Sequence, residues 1–249
     1  MELALFAIWC FAVAFTGGLV GLVLGNLRLP FTLAVGVTAG AATGANLLIS
    51  SAAAGAAAVT HIRAGRINWR LFGWMLPPSV LFALLGGYVS GVLPRTPLLL
   101  IIATVLVVSG SQMLGWQPIP DRSGIIKGPG PLIIAAGVGA VVGFLGGVVG
   151  LILGSLRVPA LIRLVGEIPA KVTGTNLAIG FWVGIAGAIG HLPSEPPDWD
   201  VAAVGVAASV PGAILGARLT GRLTESQLLR AIAVVVIIAG VSIGVQAVT

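Results

Sequence analysis

Two arginines stand inside copies of the same short motif, Leu27-Arg28-Leu29-Pro30 and Leu156-Arg157-Val158-Pro159. Each follows a glycine-rich stretch, Gly21 to Gly25 and Gly150 to Gly154. A polar side chain precedes each arginine at the same point, Asn26 and Ser155. Downstream lie Thr43-Gly44-Ala45-Asn46 and Thr173-Gly174-Thr175-Asn176. On a helix, Thr43, Asn46 and Ser50 share one face, as do Thr173 and Asn176. Lys171 precedes the second copy, where the first has Ala41. Amides, hydroxyls and guanidinium groups in apolar surroundings can hold a small anion: neutral groups by hydrogen bonds, cations by charge. The candidate substrate-binding set is therefore Asn26, Arg28, Thr43, Asn46, Ser155, Arg157, Lys171, Thr173, Thr175 and Asn176. The structural alternatives are plain. Asparagines can bond helix to helix, and arginines can snorkel to the interface. Lys171 can be an interfacial anchor.

The elements that must position these residues are membrane helices. The chain has 249 residues, 57% of them hydrophobic and 8% charged, with a mean hydropathy of +1.12. A soluble domain carries about 25% charged residues. Apolar stretches near 3–25, 38–60, 71–93, 97–114, 131–154, 172–190, 201–221 and 228–248 are long enough to cross about 30 Å of hydrocarbon. Their unbroken length argues against a β-barrel. The fold class expected is an all-α polytopic membrane protein in the inner (plasma) membrane. The net charge of +6 comes from scattered loop cations with no basic stripe, so nucleic acid is excluded as a partner. The start Met1-Glu2-Leu3 lacks a basic leader. The single cysteine, Cys10, excludes an internal disulfide and makes a thiolate metal cluster a poor reading.

The chain is duplicated. Phe15 to Pro30 and Phe144 to Pro159 agree at eleven of sixteen positions. After one inserted residue the register continues through the Thr-Gly-x-Asn copies. His61 then matches His191, Trp69 matches Trp199 and Ser79 matches Ser209. The expected domains are an N-terminal repeat 1–114, a linker 115–130 and a C-terminal repeat 131–249, each repeat with four apolar segments.

Eight plain spans leave the cations without a bias. One broken or re-entrant segment per half inverts the halves. With hairpins at Pro30–His61 and Pro159–His191, Arg28, Arg63, Arg66, Arg70, Arg122, Lys127, Arg218 and Arg222 face one side, against Arg95, Arg157 and Arg163 on the other. That is a positive-inside distribution with both termini outside. A hairpin in the first segment, breaking near Gly17-Gly18, inverts the halves equally well. His61 and His191 fall at segment ends and read as interfacial, with a proton relay as the weaker option. Trp69, Trp74, Trp116 and Trp199 read as an aromatic belt.

No HExxH, nucleophile elbow or phosphate loop is present, so no enzyme is expected. No cofactor is expected either. All seven acids lie near segment ends or in loops, which disfavours a cation pathway.

The duplicated Gly-rich turn with Leu-Arg-x-Pro, and the Lys171-Val-Thr-Gly-Thr-Asn176 element, resemble the TauE/SafE sulfite exporter (TSUP) family over nearly the whole chain. The family's Gly-x-Gly-Gly-Gly turn is reduced here to Gly21-Leu-Val-Leu-Gly25 and Gly150-Leu-Ile-Leu-Gly154. The resemblance implies a secondary transporter, an exporter of a small anion such as sulfite, a sulfonate or a related organosulfur or carboxylate compound. Alternating access around a midplane site would draw on a coupling ion, proton or sodium. The bilayer is a required partner, and a homo-oligomer is left open. A passive anion channel and a non-transporting membrane scaffold are the other two readings.

Overall fold

The computed structural model describes residues 2–34, 36–90, 95–115, 128–193 and 196–248. Trp116, Arg122, Lys127, Glu195 and most of the 115–130 linker lie outside these residues. Among the described residues the structure is helical, with no strand. The helices are α1 Glu2–Val20, α2 Gly25–Ala34, α3 Ala39–Arg63, α4 Trp69–Tyr88 and α5 Arg95–Leu114, then α6 Gly130–Val149, α7 Gly154–Ala160, α8 Pro169–His191, α9 Trp199–Thr220 and α10 Glu225–Val248. Eight of them, all but α2 and α7, are long and apolar enough to cross a membrane. These match the eight apolar segments of the sequence, and the protein is a multi-pass membrane protein.

Local chemistry sets the boundaries. Gly21 and Gly150 take left-handed backbone, with φ of 72° and 71°. Each ends its helix with a six-to-one bond, Leu22 N to Gly17 O and Leu151 N to Gly146 O, both 2.9 Å. This is a glycine C-cap, and it stops α1 and α6 at the same place. Asn68 and Asp198, matched across the halves, cap α4 and α9 by accepting from Leu71 N at 3.0 Å and Val201 N at 2.9 Å. α8 opens on Pro169, whose missing N–H costs nothing there.

After Gly21 the chain turns back. The indole of Trp9 donates to Leu27 O at 2.9 Å and stacks on Phe31, with ring centroids 4.7 Å apart. The short helix α2 therefore runs alongside α1 in the opposite sense. The hairpin lies in the first segment, at Gly21–Leu24, and α3 is one unbroken helix of 25 residues. This corrects the Pro30–His61 placement, and α8 is likewise continuous across Pro159–His191 from Pro169 onward. Hydropathy cannot separate the two placements, because a reversal inside apolar sequence leaves hydropathy unchanged. The one-residue insertion of the second half falls between Pro159 and Thr173. There α7 runs on into a π-helical turn, Leu161–Val165, the usual way a helix absorbs an extra residue.

Helix α1 packs parallel to α9. Ser209 Oγ donates to Cys10 O at 3.3 Å, and Thr220 Oγ1 to Leu19 O at 2.8 Å. Helix α4 packs parallel to α6 through Gly139 and Gly143 against Ser79, and Gly147 against Ala83. A Cβ at Gly212 would stand 2.5 Å from Phe11 O, so glycine sets how closely these backbones approach. Helices α3 and α8 cross antiparallel at the centre. Gly44 meets Pro197, Ser51 Oγ donates to Phe181 O at 2.6 Å, and Gly174 meets the backbone of Arg66. Helices α5 and α10 are also antiparallel, Gly110 meeting Ala233 and Ile237 while Gly240 meets Leu106 and Ala103. Exchanging the halves (α1 for α6, α3 for α8, α4 for α9, α5 for α10) turns the two parallel pairings into one another and each antiparallel pairing into itself.

Arg66 Nη1 donates to Ala217 O at 3.3 Å, and its backbone meets Gly174. One end of the bundle therefore gathers the end of α3, the starts of α4 and α8, and the α9–α10 turn. It carries Arg63, Arg66, Arg70, Arg163, Lys171, Arg218, Arg222 and Arg230. The opposite end, where Asp198 N donates to Ala41 O at 3.4 Å and Gly87 meets Gly190, carries Asp198, Asp200 and the Arg95 start of α5.

Candidate functional site

The two Leu-Arg-x-Pro motifs form the first turns of α2 and α7, just past the glycine turns. They aim their guanidinium groups inward. Arg28 is 1% exposed and Arg157 fully buried, so neither snorkels. Arg28 Nη1 donates to Asn46 Oδ1 at 3.3 Å and to Ser50 Oγ at 3.0 Å. Arg157 Nη1 donates to Asn176 Oδ1 at 3.0 Å. Asn46 and Ser50 lie seven and eleven residues into α3, roughly 10–17 Å along its axis. The arginines thus sit well inside the helix bundle, on the matched asparagines of the central helix pair.

The surroundings of the two arginines differ. Asn176 Nδ2 donates to Gly21 O at 2.7 Å, so Arg157, Asn176 and the turn of the opposite half form one chain of bonds. The equivalent amide, Asn46 Nδ2, is buried with no hydrogen-bond partner among the described residues. Position 50 is Ser, but its counterpart, 180, is Gly. Arg157 therefore has no second hydroxyl, and its Nε and Nη2 are buried donors with no acceptor among the described residues, as is Arg28 Nε. Arg28 also faces the Cys10 side chain. It lines a narrow cleft with Ser50, Leu22 to Leu24 and Gly17. No ion pair holds either guanidinium among the described residues.

The glycines explain how these groups come so close. A Cβ at Gly25 would lie 2.8 Å from Asn46 Nδ2 and Ser50 Oγ, and one at Gly154 2.7 Å from Asn176 Nδ2. A Cβ at Gly21 would strike Thr173, and one at Gly150 would strike Thr43. Thr43 and Thr173 bond back to Ala39 O at 2.8 Å and Pro169 O at 2.7 Å. Their hydroxyls are thus engaged locally, while their methyls cover the opposite turn.

Of the sequence candidates, Arg28, Asn46, Arg157 and Asn176 are brought together as two matched clusters. Thr43 and Thr173 border them. Asn26 turns away, donating to Ala239 O at 3.2 Å, and its carbonyl accepts from Gln246 at 2.8 Å, so it ties α2 to α10. Ser155 is buried beside Arg157 on α7. Thr175 Oγ1 accepts from Asn68 N at 3.0 Å, which places it at the α3–α4 turn. Lys171 is half-buried in the first turn of α8, roughly 7 Å along the axis before Asn176. Ser50, on the Thr43–Asn46 face, belongs to the first cluster. A second group, outside the candidate list, is Asn68 Nδ2 donating to the buried Glu167, whose Oε1 also accepts from Ile168 N at 2.9 Å. Glu167 has no counterpart in the other half, and Asn68 aligns with Asp198 rather than with another asparagine, so identity between the halves could not flag them.

Comparison with known proteins places this geometry. The chain is 32% identical over 113 residues to "Probable membrane transporter protein YunE" of Bacillus subtilis (strain 168), covering 45% of this chain and 40% of that relative. The match thus spans about two fifths of the relative's length. No solved structure matches. The model of the family described as "Sulfite exporter TauE/SafE" matches residues 5–243, which takes in both arginine clusters and every helix that holds them, and the chain belongs to that family.

Proposed function

We propose that this protein is a secondary transporter that exports a small oxyanion or organosulfur anion, held between Arg28 and Arg157 by alternating access. The carrying observation is the pair of buried, incompletely partnered guanidinium groups on matched asparagines. A buried donor without an acceptor costs about 1–3 kcal/mol, and a buried charge without a counter-charge costs more. The oxygens of an anion supply both what Arg157 Nε and Nη2 and Arg28 Nε lack. In this reading the halves are inverted repeats, supported by the antiparallel α3–α8 and α5–α10 crossings and by the preserved pairings on exchange. The cationic end is cytoplasmic and the membrane is the inner one, supported by the gathering of arginines there. The anion site lies where such folds put it, at the repeat interface near the midplane.

The asymmetry supplies the alternation. The Asn176–Gly21 bond is made and its Asn46–Gly150 counterpart is not. Transport would exchange one for the other, closing one turn over the anion as the other opens. An ion gradient, proton or sodium, would drive it.

The test uses proteoliposomes loaded with radiolabelled sulfite or sulfoacetate. Asn46→Ala with Asn176→Ala, and separately Arg28→Gln and Arg157→Gln, are expected to lower transport at least tenfold while the purified protein stays folded. Losing one charge-assisted bond of about 1.5–3 kcal/mol weakens binding roughly 10- to 100-fold. Wild-type rates in the double asparagine variant would sink the site. A thermal-stability screen over sulfite, sulfoacetate, thiosulfate and small carboxylates identifies the anion.

A further inference from the structure

The start of α4 differs from its counterpart in a way that the anion site does not explain. The duplication aligns Trp69 with Trp199 and Ser79 with Ser209. Between those anchors, Arg70 faces Asp200, Gly73 faces Ala203, Trp74 faces Val204, and Pro77-Pro78 face Ala207-Ala208. Only the N-terminal half has these residues, and there they line an open groove along α4 beside Ala136 of α6.

Each difference acts in the same direction. Gly73 is exposed, and nothing lies within 4 Å of where its Cβ would stand, so its lack of a side chain forms the groove rather than tight packing. Pro77 and Pro78 lie inside the helix and cannot donate to the carbonyls of Gly73 and Trp74, four residues earlier. Those carbonyls are acceptors in the groove wall, and in a bilayer they need a donor. Trp69 and Trp74 are exposed, at 57% and 46%. Trp69 is fixed edge-on against Phe72, ring centroids 5.6 Å apart. Arg70 stands at the mouth, exposed, at the cationic end of the bundle. An aromatic belt alone would explain the two indoles. It explains neither the missing side chain at Gly73 nor the proline pair, nor why the matched helix start has Asp200.

We propose that this groove is a binding site for one anionic phospholipid. Its phosphate would lie on Arg70, the glycerol region between the Trp69 and Trp74 indoles and over Gly73, and an acyl chain over Pro77-Pro78. Charge complementarity selects the headgroup, as it does in basic pockets at the cytoplasmic ends of membrane helices. The carbonyls of Gly73 and Trp74 face water or headgroup hydroxyls entering with the lipid. The site is separate from the arginine pair and stands whether or not that pair binds the transported anion.

The experiment uses full-length protein in delipidated micelles, measuring thermal stability and lipid retention by native mass spectrometry. Phosphatidylglycerol, phosphatidylcholine and inorganic phosphate are titrated separately. Phosphatidylglycerol is expected to raise the melting temperature and leave one retained lipid per chain, with phosphatidylcholine and inorganic phosphate giving neither. Gly73→Leu fills the groove without touching the core, and Arg70→Gln removes its charge. Each is expected to weaken retention at least tenfold. Trp74→Ala, at an exposed position, gives the same reading where Gly73→Leu fails to fold. Equal retention in the variants and the wild type overturns the site. Equal stabilisation by phosphatidylcholine overturns the charge argument, and equal stabilisation by inorganic phosphate overturns the lipid.

Discussion

Arg28 and Arg157 occupy equivalent positions with unequal partners, and the inequality comes from single residues. Ser50 gives Arg28 a hydroxyl 3.0 Å away, whereas Gly180, its counterpart, gives Arg157 none. Gly180→Ser is therefore expected to offer Arg157 an internal acceptor, raising stability without anion and shrinking the melting shift that the substrate anion produces in the wild type. A Cβ at 180 would lie 3.1 Å from Val23 Cγ2, so Gly180→Ala controls for the packing. An unchanged anion-dependent shift in Gly180→Ser would remove Arg157 from the anion's partners. At this scale the sequence was legible where both copies agreed. Arg28, Asn46, Arg157 and Asn176 were identifiable because duplication repeats them. Asn26 was read toward the anion because type and position alone do not tell which way a side chain turns, and α10 supplies its carbonyl partner from 213 residues away. By sequence position alone, Arg28 and Arg157 fall among the loop cations. Buried, they leave the tally, and the remaining cations separate more cleanly than the eight-to-three count.

The turns are the elements most exposed to substitution. Gly21 and Gly150 combine left-handed φ with a threonine methyl against the place a Cβ would take. Gly21→Ala or Gly150→Ala is expected to cost about 1–2 kcal/mol from backbone strain alone, and more from the clash. Chemical denaturation in detergent measures the loss. Gly36 has a similar φ of 84° with open space around it, so Gly36→Ala should cost only the strain. Equal losses at 21 and 36 would show that the threonine packing contributes nothing. The existence of a break was legible from the repeated glycine-rich turn and Leu-Arg-x-Pro. Its place was not, because apolar composition is the same for a full span and for a hairpin. The tertiary contacts of Trp9 with Leu27 and Phe31 decide it.

The whole molecule is a set of crossed pairings: each half's first span packs on the other's third, the two second spans pack together, and so do the two fourth spans. With α3 and α8 antiparallel, the α3–α4 turn and the α8–α9 turn belong to opposite ends. In a Cys10→Ser background, Gly65→Cys is expected to react with a membrane-impermeant maleimide only from the cytoplasmic side. Pro193→Cys is expected to react only from the outside. Labelling of both from one side would contradict the inverted arrangement.

The parallel pairing of α1 with α9 has a consequence for biogenesis. About 180 residues separate the end of α1 from the start of α9. At 5–20 residues per second, that is about 10–40 s of translation. Throughout that interval Gly18 and the rest of the α9-facing side of α1 have no protein to meet, and Arg157 and Asn176 are made only in its last third. The nascent first half must wait in the bilayer beside the translocation machinery with its helix-packing surface turned to lipid. Membrane quality control therefore meets this protein first as an unpaired half, and premature termination before α9 should yield a fragment that is degraded rather than stored.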